Sequence, residues 1–331
     1  LLEIIPIPEE KTIDRGGKIY TFGSISDLHF NRYDLGDGND VAQLSFDRAL
    51  SFFNTADVSL VAMPGDISEK GEKEAFMTFN SIASGYDFPV YTTTGNHDLM
   101  AKYKKENWLA YMNTGAYSEV KAEGVINVAE NGMDFVYEEP TSGDIFIFLN
   151  QTSNGYGQLI NALLQNSQLD WLEAQLEEHK NESVYLFFHT FLNSAKGNPL
   201  MSTGNLYNSL GWAYPLFYTQ GANDEIRLRE LLREYDNVFF FNGHSHWAYH
   251  MQSLNPNLNI SKNGEDGATF VHVSSVSSPR VTGDYQVLWS GTDPNMSEGY
   301  LIEVYEDTLL LMGIDFVNGT VLAYATYECE R

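Results

Sequence analysis

The chain has 331 residues, 43% hydrophobic and 14% aromatic, with 45 acidic against 19 basic side chains and a formal charge of −26. Such a composition supports a large packed core and excludes an intrinsically disordered chain, while the charge repels polyanions and argues against a nucleic-acid polymer as partner. The lone cysteine, Cys329, excludes an intrachain disulfide and a cysteine-based metal cluster.

No apolar run reaches the length of a membrane span. No Pro/Ser/Gly-rich linker, charge block or repeat divides the chain, so one domain over residues 1–331 is expected. The chain begins at Leu1 rather than Met, which is compatible with a removed leader and leaves both an extracytoplasmic and a cytoplasmic location open. Oligomeric state is not readable.

In chain order, Ile19 to Ser26 reads as a β-rich run closed by Asp27-Leu28-His29. A Gly/Asp/Asn-rich loop follows from Asn31 to Asp40. It lacks oxygen ligands where an EF-hand needs them, and it reads as a polar loop beside a site. Asn31, Arg32 and Tyr33 are candidates to touch a substrate there. Val41 to Asn54 reads as a helix. Val58 to Met63 has the continuous apolar character of a buried parallel strand and ends in Pro64-Gly65-Asp66. A helix is expected from Ser68 to Ser84, then a strand over residues 89–94 leading into Gly95-Asn96-His97-Asp98. Lys102 to Tyr111 reads as helical. Phe135–Tyr137 and Ile145–Leu149 form a predicted hairpin. Ser167 to Lys180 is the clearest helix, with Ser167 and Asp170 expected as its capping pair. Val184 to Phe188 is a strand ending at His189. The long stretch 190–222, with Trp212 and Tyr214, has the length of a functional loop. Val238 to Phe241 ends in Asn242-Gly243-His244-Ser245-His246. Four further strands follow over residues 269–327, as a second sheet or an extension of the first.

Five apolar or β-rich runs therefore end in side chains suited to chemistry: Asp27 with His29, Asp66, Asn96 with His97, His189, and His244 with His246. In open α/β sheets, ligands bind outside the carboxyl ends of strands. Three Asp/Asn and five His delivered to one edge make a mixed nitrogen and oxygen site for two metals, pointing to Mn, Fe, Zn or Co rather than an all-oxygen calcium or magnesium cage. Each fragment alone is weaker. Gly-Asp before a helix is commonly a turn with an N-cap, and a lone buried His is commonly a hydrogen-bonded core residue. The ordered set is what carries weight.

That set, Asp27-x-His29, Gly65-Asp66, Gly95-Asn96-His97-Asp98, His189 and Gly243-His244-x-His246, resembles the calcineurin-like metallophosphoesterase superfamily. The run Gly65-Asp66-Ile67-Ser68-Glu69-Lys70-Gly71 is similar to its bacterial cyclic-nucleotide phosphodiesterase-type branch, and protein phosphatases carry an arginine after Gly-Asn-His that is missing here. The motifs span residues 27–246, and residues 268–331 are similar to the family's closing strands. The resemblance implies an α/β fold, a four-layer αββα sandwich of two mixed β-sheets flanked by helices. It implies that Asp27, His29 and His246 hold one metal ion, that Asn96, His189 and His244 hold a second, and that Asp66 bridges both. His97 would be the proton donor, with Asp98 orienting it. The implied function is hydrolysis of a phosphodiester or phosphomonoester by attack of a metal-bridging hydroxide. A catalytically silent metal-binding or ligand-binding module on the same fold is the alternative. With two dications set against Asp27, Asp66 and one hydroxide, about one positive charge remains to attract a small phosphorylated substrate despite the acidic exterior.

Overall fold

The computed structural model describes residues 15–32, 40–100, 104–112, 123–152, 164–190, 227–252, 260–262, 267–281 and 292–331. In chain order its strands are β1 (Lys18–Ser24), β2 (Leu60–Met63), β3 (Val90–Thr92), β4 (Val125–Val128), β5 (Phe135–Glu138), β6 (Ile145–Phe148) and β7 (Val184–Phe187). They continue with β8 (Val238–Asn242), β9 (Ile260–Lys262), β10 (Thr269–His272), β11 (Glu298–Tyr305), β12 (Thr308–Asp315) and β13 (Thr320–Glu330). The longer helices are α1 (Val41–Thr55), α2 (Lys73–Ala83), α3 (Lys104–Tyr111) and α4 (Asn166–Glu178).

The strands form two sheets. One has six strands in the order β13-β12-β11-β1-β2-β3, and the other seven in the order β4-β5-β6-β7-β8-β10-β9. Strands β1, β2 and β3 run parallel, as do β6, β7, β8 and β10. Both sheets are mixed because β11 joins β1 antiparallel and the β5/β6 hairpin and β9 pair antiparallel in the second sheet. Of the four C-terminal strands, β11, β12 and β13 thus extend the first sheet, whereas β10 joins the second beside β8.

Period-two alternation explains the layers. In β6, β7 and β8, Phe146, Phe148, Tyr185, Phe187, Phe239 and Phe241 fill the space between the sheets, where Phe22, Leu60, Ala62 and Tyr91 of the first sheet meet them. The intervening Ile145, Ile147, Val184, Leu186, Val238 and Phe240 face outward onto Leu169, Leu172 and Leu176 of α4. On the far side, Val61, Met63 and Val90 carry Phe46, Leu50 and Phe53 of α1 and Phe76 and Phe79 of α2. A strand apolar on both faces needs cover on both faces, and that yields the expected αββα arrangement. Stacked rings of Phe135, Phe148, Phe187 and Phe241 run across the second sheet at centroid separations of 4.5, 5.1 and 4.9 Å. Each buried ring contributes roughly 1.5–3 kcal/mol, so the platform beneath the strand ends is stiff.

Two local expectations need correction. Helix α2 starts at Lys73, not Ser68. The Ser68 N–H and hydroxyl both donate to Asp98, at 2.8 and 2.9 Å, and the Gly71 N–H donates back to the Ser68 hydroxyl; the segment is a polar loop because its hydrogen bonds go elsewhere. Helix α4 is not capped by Ser167 and Asp170. The Gln165 N–H donates to the Gln168 side chain at 2.9 Å, whereas Asp170 pairs with Arg227.

Candidate metal centre

The carboxyl ends of β1, β2, β3, β7 and β8 meet at one edge of the sandwich. The turns there are unusual in the same way. Seven non-glycine residues among those described have positive φ, and five of them are Asp27, His29, Asp66, His244 and His246. A left-handed residue other than glycine costs on the order of 1–3 kcal/mol, and such strain collects at functional sites. In Asp27-Leu28-His29 and His244-Ser245-His246 the two left-handed residues flank one ordinary one, which turns the outer side chains into the same pocket. Glycine is required where these turns touch. A Cβ on Gly95 would run into the Asp66 carboxylate, and one on Gly243 would strike Ser26 and Asp27.

Asp27, His29 and His246 present one ligand atom each within 4.8 Å of one another, and Asp66, His189 and His244 do the same. All six are buried or nearly so. The groups adjoin through Asp66, whose Oδ2 lies 3.1 Å from His189 Nε2 and 3.5 Å from His29 Nε2. Asp66 Oδ1 accepts the His97 backbone N–H at 2.9 Å, which holds the Asn96–His97 turn against the shared carboxylate.

The outer nitrogens of the imidazoles are already committed. His29 Nδ1–H donates to Glu69 at 2.9 Å, His189 Nδ1–H to the Pro64 carbonyl at 2.6 Å, and His246 Nδ1–H to the Ser278 carbonyl at 3.3 Å. That pattern directs each Nε2 inward and is how metal-ligating histidines are oriented. Inside the pocket His29 Nε2 faces His246 Nε2 at 2.9 Å, and His189 Nε2 faces His244 Nδ1 at 3.0 Å. Two ring nitrogens can share such a contact only with one proton between them. A cation accepts both lone pairs at once.

The electrostatics follow the same division. Burial opposes charge on His29 and His189, yet Asp27 and Glu69 beside the first, and Asp66 beside the second, push them up to about 9. Burial brings His246 down to about 4 and holds His244 well below the usual imidazole range. Burial would raise Asp27 and Asp66, but the histidines around them hold both well below the usual carboxylate range. One further buried acceptor, Asn96 Oδ1, has no hydrogen-bond partner among the described residues, and a neutral amide oxygen is an ordinary ligand for a divalent ion. Donor types, tautomers and this orphaned oxygen all fit two cations of the Mn, Fe or Zn kind. A third cluster, His29, Glu69 and His97, shares a similar spacing, but its nitrogens are occupied: His29 Nδ1 by the Glu69 carboxylate and His97 Nδ1 by the Glu69 carbonyl at 2.8 Å.

His97 stands edge-on to His29, ring centroids 4.5 Å apart, and burial lowers its pKa. The expected role of Asp98 needs correction. Its carboxylate does not reach the His97 ring; it accepts from the N–H groups of Gly95, Ile67 and Ser68 and from the Ser68 hydroxyl. It clamps the β2 and β3 turns together, and the Glu69 carbonyl orients His97 instead. Burial, with Asp66 nearby, pushes Asp98 up to about 7 against the donors of Gly95 and Ser68. Glu69, Pro64 and Ser278 were not singled out by sequence. Glu69 had a signal of a kind, three residues after Asp66 on the same turn; the two carbonyls had none. Arg32 lies beside the site, its Nε 3.7 Å from Glu69. Tyr33, Trp212, Tyr214 and residues 191–222 of the long loop lie outside the described residues.

A model of the calcineurin-like phosphoesterase family matches residues 20–248. No curated protein matches the chain. Among solved structures, the chain is similar to a dimetal phosphatase from Danio rerio, at 15% identity and a TM-score of 0.61 over 95% of this chain and 99% of that one. It is also similar to a purple acid phosphatase from yellow lupin seeds, at 15% identity and a TM-score of 0.54 over 96% of this chain and 55% of that one. A third similar structure is GAP50 of Plasmodium, described as the anchor in the inner membrane complex, at 14% identity and a TM-score of 0.54 over 95% and 89% of the two chains. At these identities the structures speak for the fold.

Proposed function

Given that the chain belongs to the calcineurin-like phosphoesterase family, we propose that this metal-dependent phosphoric ester hydrolase cleaves a phosphodiester or phosphomonoester of a small organic phosphate at the edge formed by the five strand ends. Asp27, His29 and His246 would hold one ion, Asn96, His189 and His244 a second, and Asp66 would serve both. When bound, such an ion pair stabilises charge on phosphoryl oxygens and lowers the pKa of a bound water. The strands supply fixed orientation, the buried carboxylates stay ionised, and the tightly packed turns keep bulk water from the ligand atoms. His97 is the proton donor to the leaving oxygen: its Nδ1–H is held by the Glu69 carbonyl, which turns Nε2 away from that carbonyl and toward a substrate. A positioned acid of this kind contributes about 10²–10⁴-fold. The strands over residues 268–331 belong to the same catalytic unit, since β11 is paired with β1 along its length.

The observation that carries this reading is the pair of facing ring-nitrogen contacts at 2.9 and 3.0 Å between imidazoles buried beside Asp27 and Asp66. A silent metal-binding module on the same fold is the second reading, favoured by the likeness to a structure described as an anchor. Assay of the purified chain with Mn²⁺, Fe²⁺ or Zn²⁺ against nitrophenyl phosphate and bis-nitrophenyl phosphate separates them. Turnover that His97→Ala lowers at unchanged metal content supports the hydrolase mechanism. Two bound ions without turnover on either ester, in any of the metals, leaves the silent module.

A further inference from the structure

The segment after β10, Ser274-Ser275-Val276-Ser277-Ser278, lies beyond residues 20–248 matched by the family. All five residues are buried. The backbone hydrogen bonds of the first ligand turn show what they do. The N–H groups of Asp27, His29 and Phe30 donate to the carbonyls of Gly65, Asp66 and Ile67. The carbonyls of Asp27 and Leu28 take their donors from elsewhere, as buried carbonyls must. Ser275 Oγ donates to the Asp27 carbonyl at 2.9 Å, and Ser277 Oγ donates to the Leu28 carbonyl at 2.7 Å and to that of Asp27 at 3.1 Å. The Val276 N–H donates to the Ser26 carbonyl at 2.9 Å. One residue further on, the Ser278 carbonyl accepts His246 Nδ1–H, and the Arg280 N–H donates to the His246 carbonyl at 2.6 Å.

We infer that Ser275 and Ser277 are positioning residues for one half of the metal centre: they hold Asp27 and His29 in their left-handed conformations, so that this segment assembles the Asp27–His29–His246 group and not the Asp66–His189–His244 group. The inference rests on the two-metal reading above. Its selectivity comes from connectivity. Asp27, the Leu28–His29 peptide and His246 are all hydrogen-bonded to the run 275–280, whereas His189 is oriented by Pro64, Asp66 is fixed by the β3 turn, and His244 meets the segment only at one remove, its backbone N–H donating to the Asp27 carboxylate at 3.0 and 3.2 Å. Ser274 is an internal control, because its hydroxyl donates to Glu298 at 2.8 Å rather than to the ligand turn.

The test is Mn²⁺ titration of the full chain by calorimetry and electron paramagnetic resonance, with melting of the metal-free protein alongside. The wild type should take up two ions with a coupled signal. S275A/S277A should bind one ion as the wild type does and the other about 10–100-fold more weakly, with a single-ion signal at intermediate Mn²⁺. S277T should keep the ion at Asp27, His29 and His246, and S274A should keep both. A double variant that binds both ions with wild-type affinity overturns the inference, as does equal weakening of both, or an S274A variant that weakens the same ion. If the double variant does not fold, S277A set against S277T distinguishes the same outcomes. A wild type that takes up no ion instead overturns the underlying metal-centre reading.

Discussion

The two ends of the sandwich are built on opposite principles. At the end where the parallel strands begin, Arg331 pairs with Asp144, donates from Nε to Ser183 Oγ at 2.9 Å and from Nη1 to the Tyr305 carbonyl at 2.9 Å, and Tyr20 donates to the same aspartate at 2.8 Å. Cation meets anion, and the donors and acceptors come from five different strands or their flanks. At the other end imidazole nitrogens face imidazole nitrogens, Asn96 Oδ1 is orphaned, and five candidate ligands adopt left-handed backbones. At the first end every charge is met by the chain's own groups. The second is self-consistent only with protons or cations added, which is what distinguishes a site from a seam.

That contrast can be broken most directly at Asp66. Because its Oδ2 lies between His189 and His29, Asp66→Ala should abolish uptake of both ions, measured by elemental analysis, and turnover should fall to background. His97→Ala should lower kcat by about 10²–10⁴-fold while two ions remain bound, since no ring nitrogen of His97 is needed by either group. Turnover that falls together with metal content would instead make His97 a ligand.

The opposite end should respond in stability alone. Asp144→Ala strands a largely buried guanidinium and the Tyr20 hydroxyl, which should cost about 1–3 kcal/mol in denaturant unfolding with metal uptake unchanged. Loss of metal binding in that variant would show that the two ends are coupled.

A smaller effect sharpens the comparison through protons. His29 and His189 are raised to about 9 in the metal-free protein, so both hold protons at neutral pH and ion binding must expel them. Calorimetry at pH 7.5 in buffers of different ionisation enthalpy should report about two protons released per chain. A group with a raised pKa adds stability that is full below its unfolded value, near 6.5 for histidine, and is lost as pH rises through the folded value. The metal-free protein should therefore melt at progressively lower temperature between pH 7 and 9, and the metal-loaded protein should not. Asp27 and Asp66, both lowered, work at the acid side: their contribution is present above the unfolded carboxylate value and is lost as pH falls below it.

The strands and most helices were legible in the sequence because their signals are local. Phe239 and Phe241 against Val238 and Phe240 announce a strand buried on both faces, and Leu169, Leu172 and Leu176 announce one helix face. Local rules failed where a polar side chain had a distant partner. Ser68 looks like a helix start but gives its hydrogen bonds to Asp98, thirty residues on. Gln168 looks unremarkable, yet it closes the start of α4 and also donates to the buried Asp134. In the centre the ligand-type residues stood out, since Asp-x-His, Gly-Asn-His-Asp and Gly-His-x-His place rare side-chain types on turns after strands. Their supports did not: the Pro64 and Ser278 carbonyls are groups every residue owns, and Ser275 and Ser277 read as filler after a strand.

By itself the sequence determined which side chains could bind cations and that each would follow its own strand, because residue chemistry and hydrophobic period are properties of short stretches. Only the tertiary structure decided which nitrogen each histidine turns inward, that the Glu69 carbonyl and not the Asp98 carboxylate meets the His97 ring, and that serines some 250 positions away donate to the Asp27 carbonyl. Those choices depend on which strands lie side by side: β11 pairs with β1 and β10 with β8, and nothing within a stretch of ten residues encodes the neighbour it will meet across a sheet.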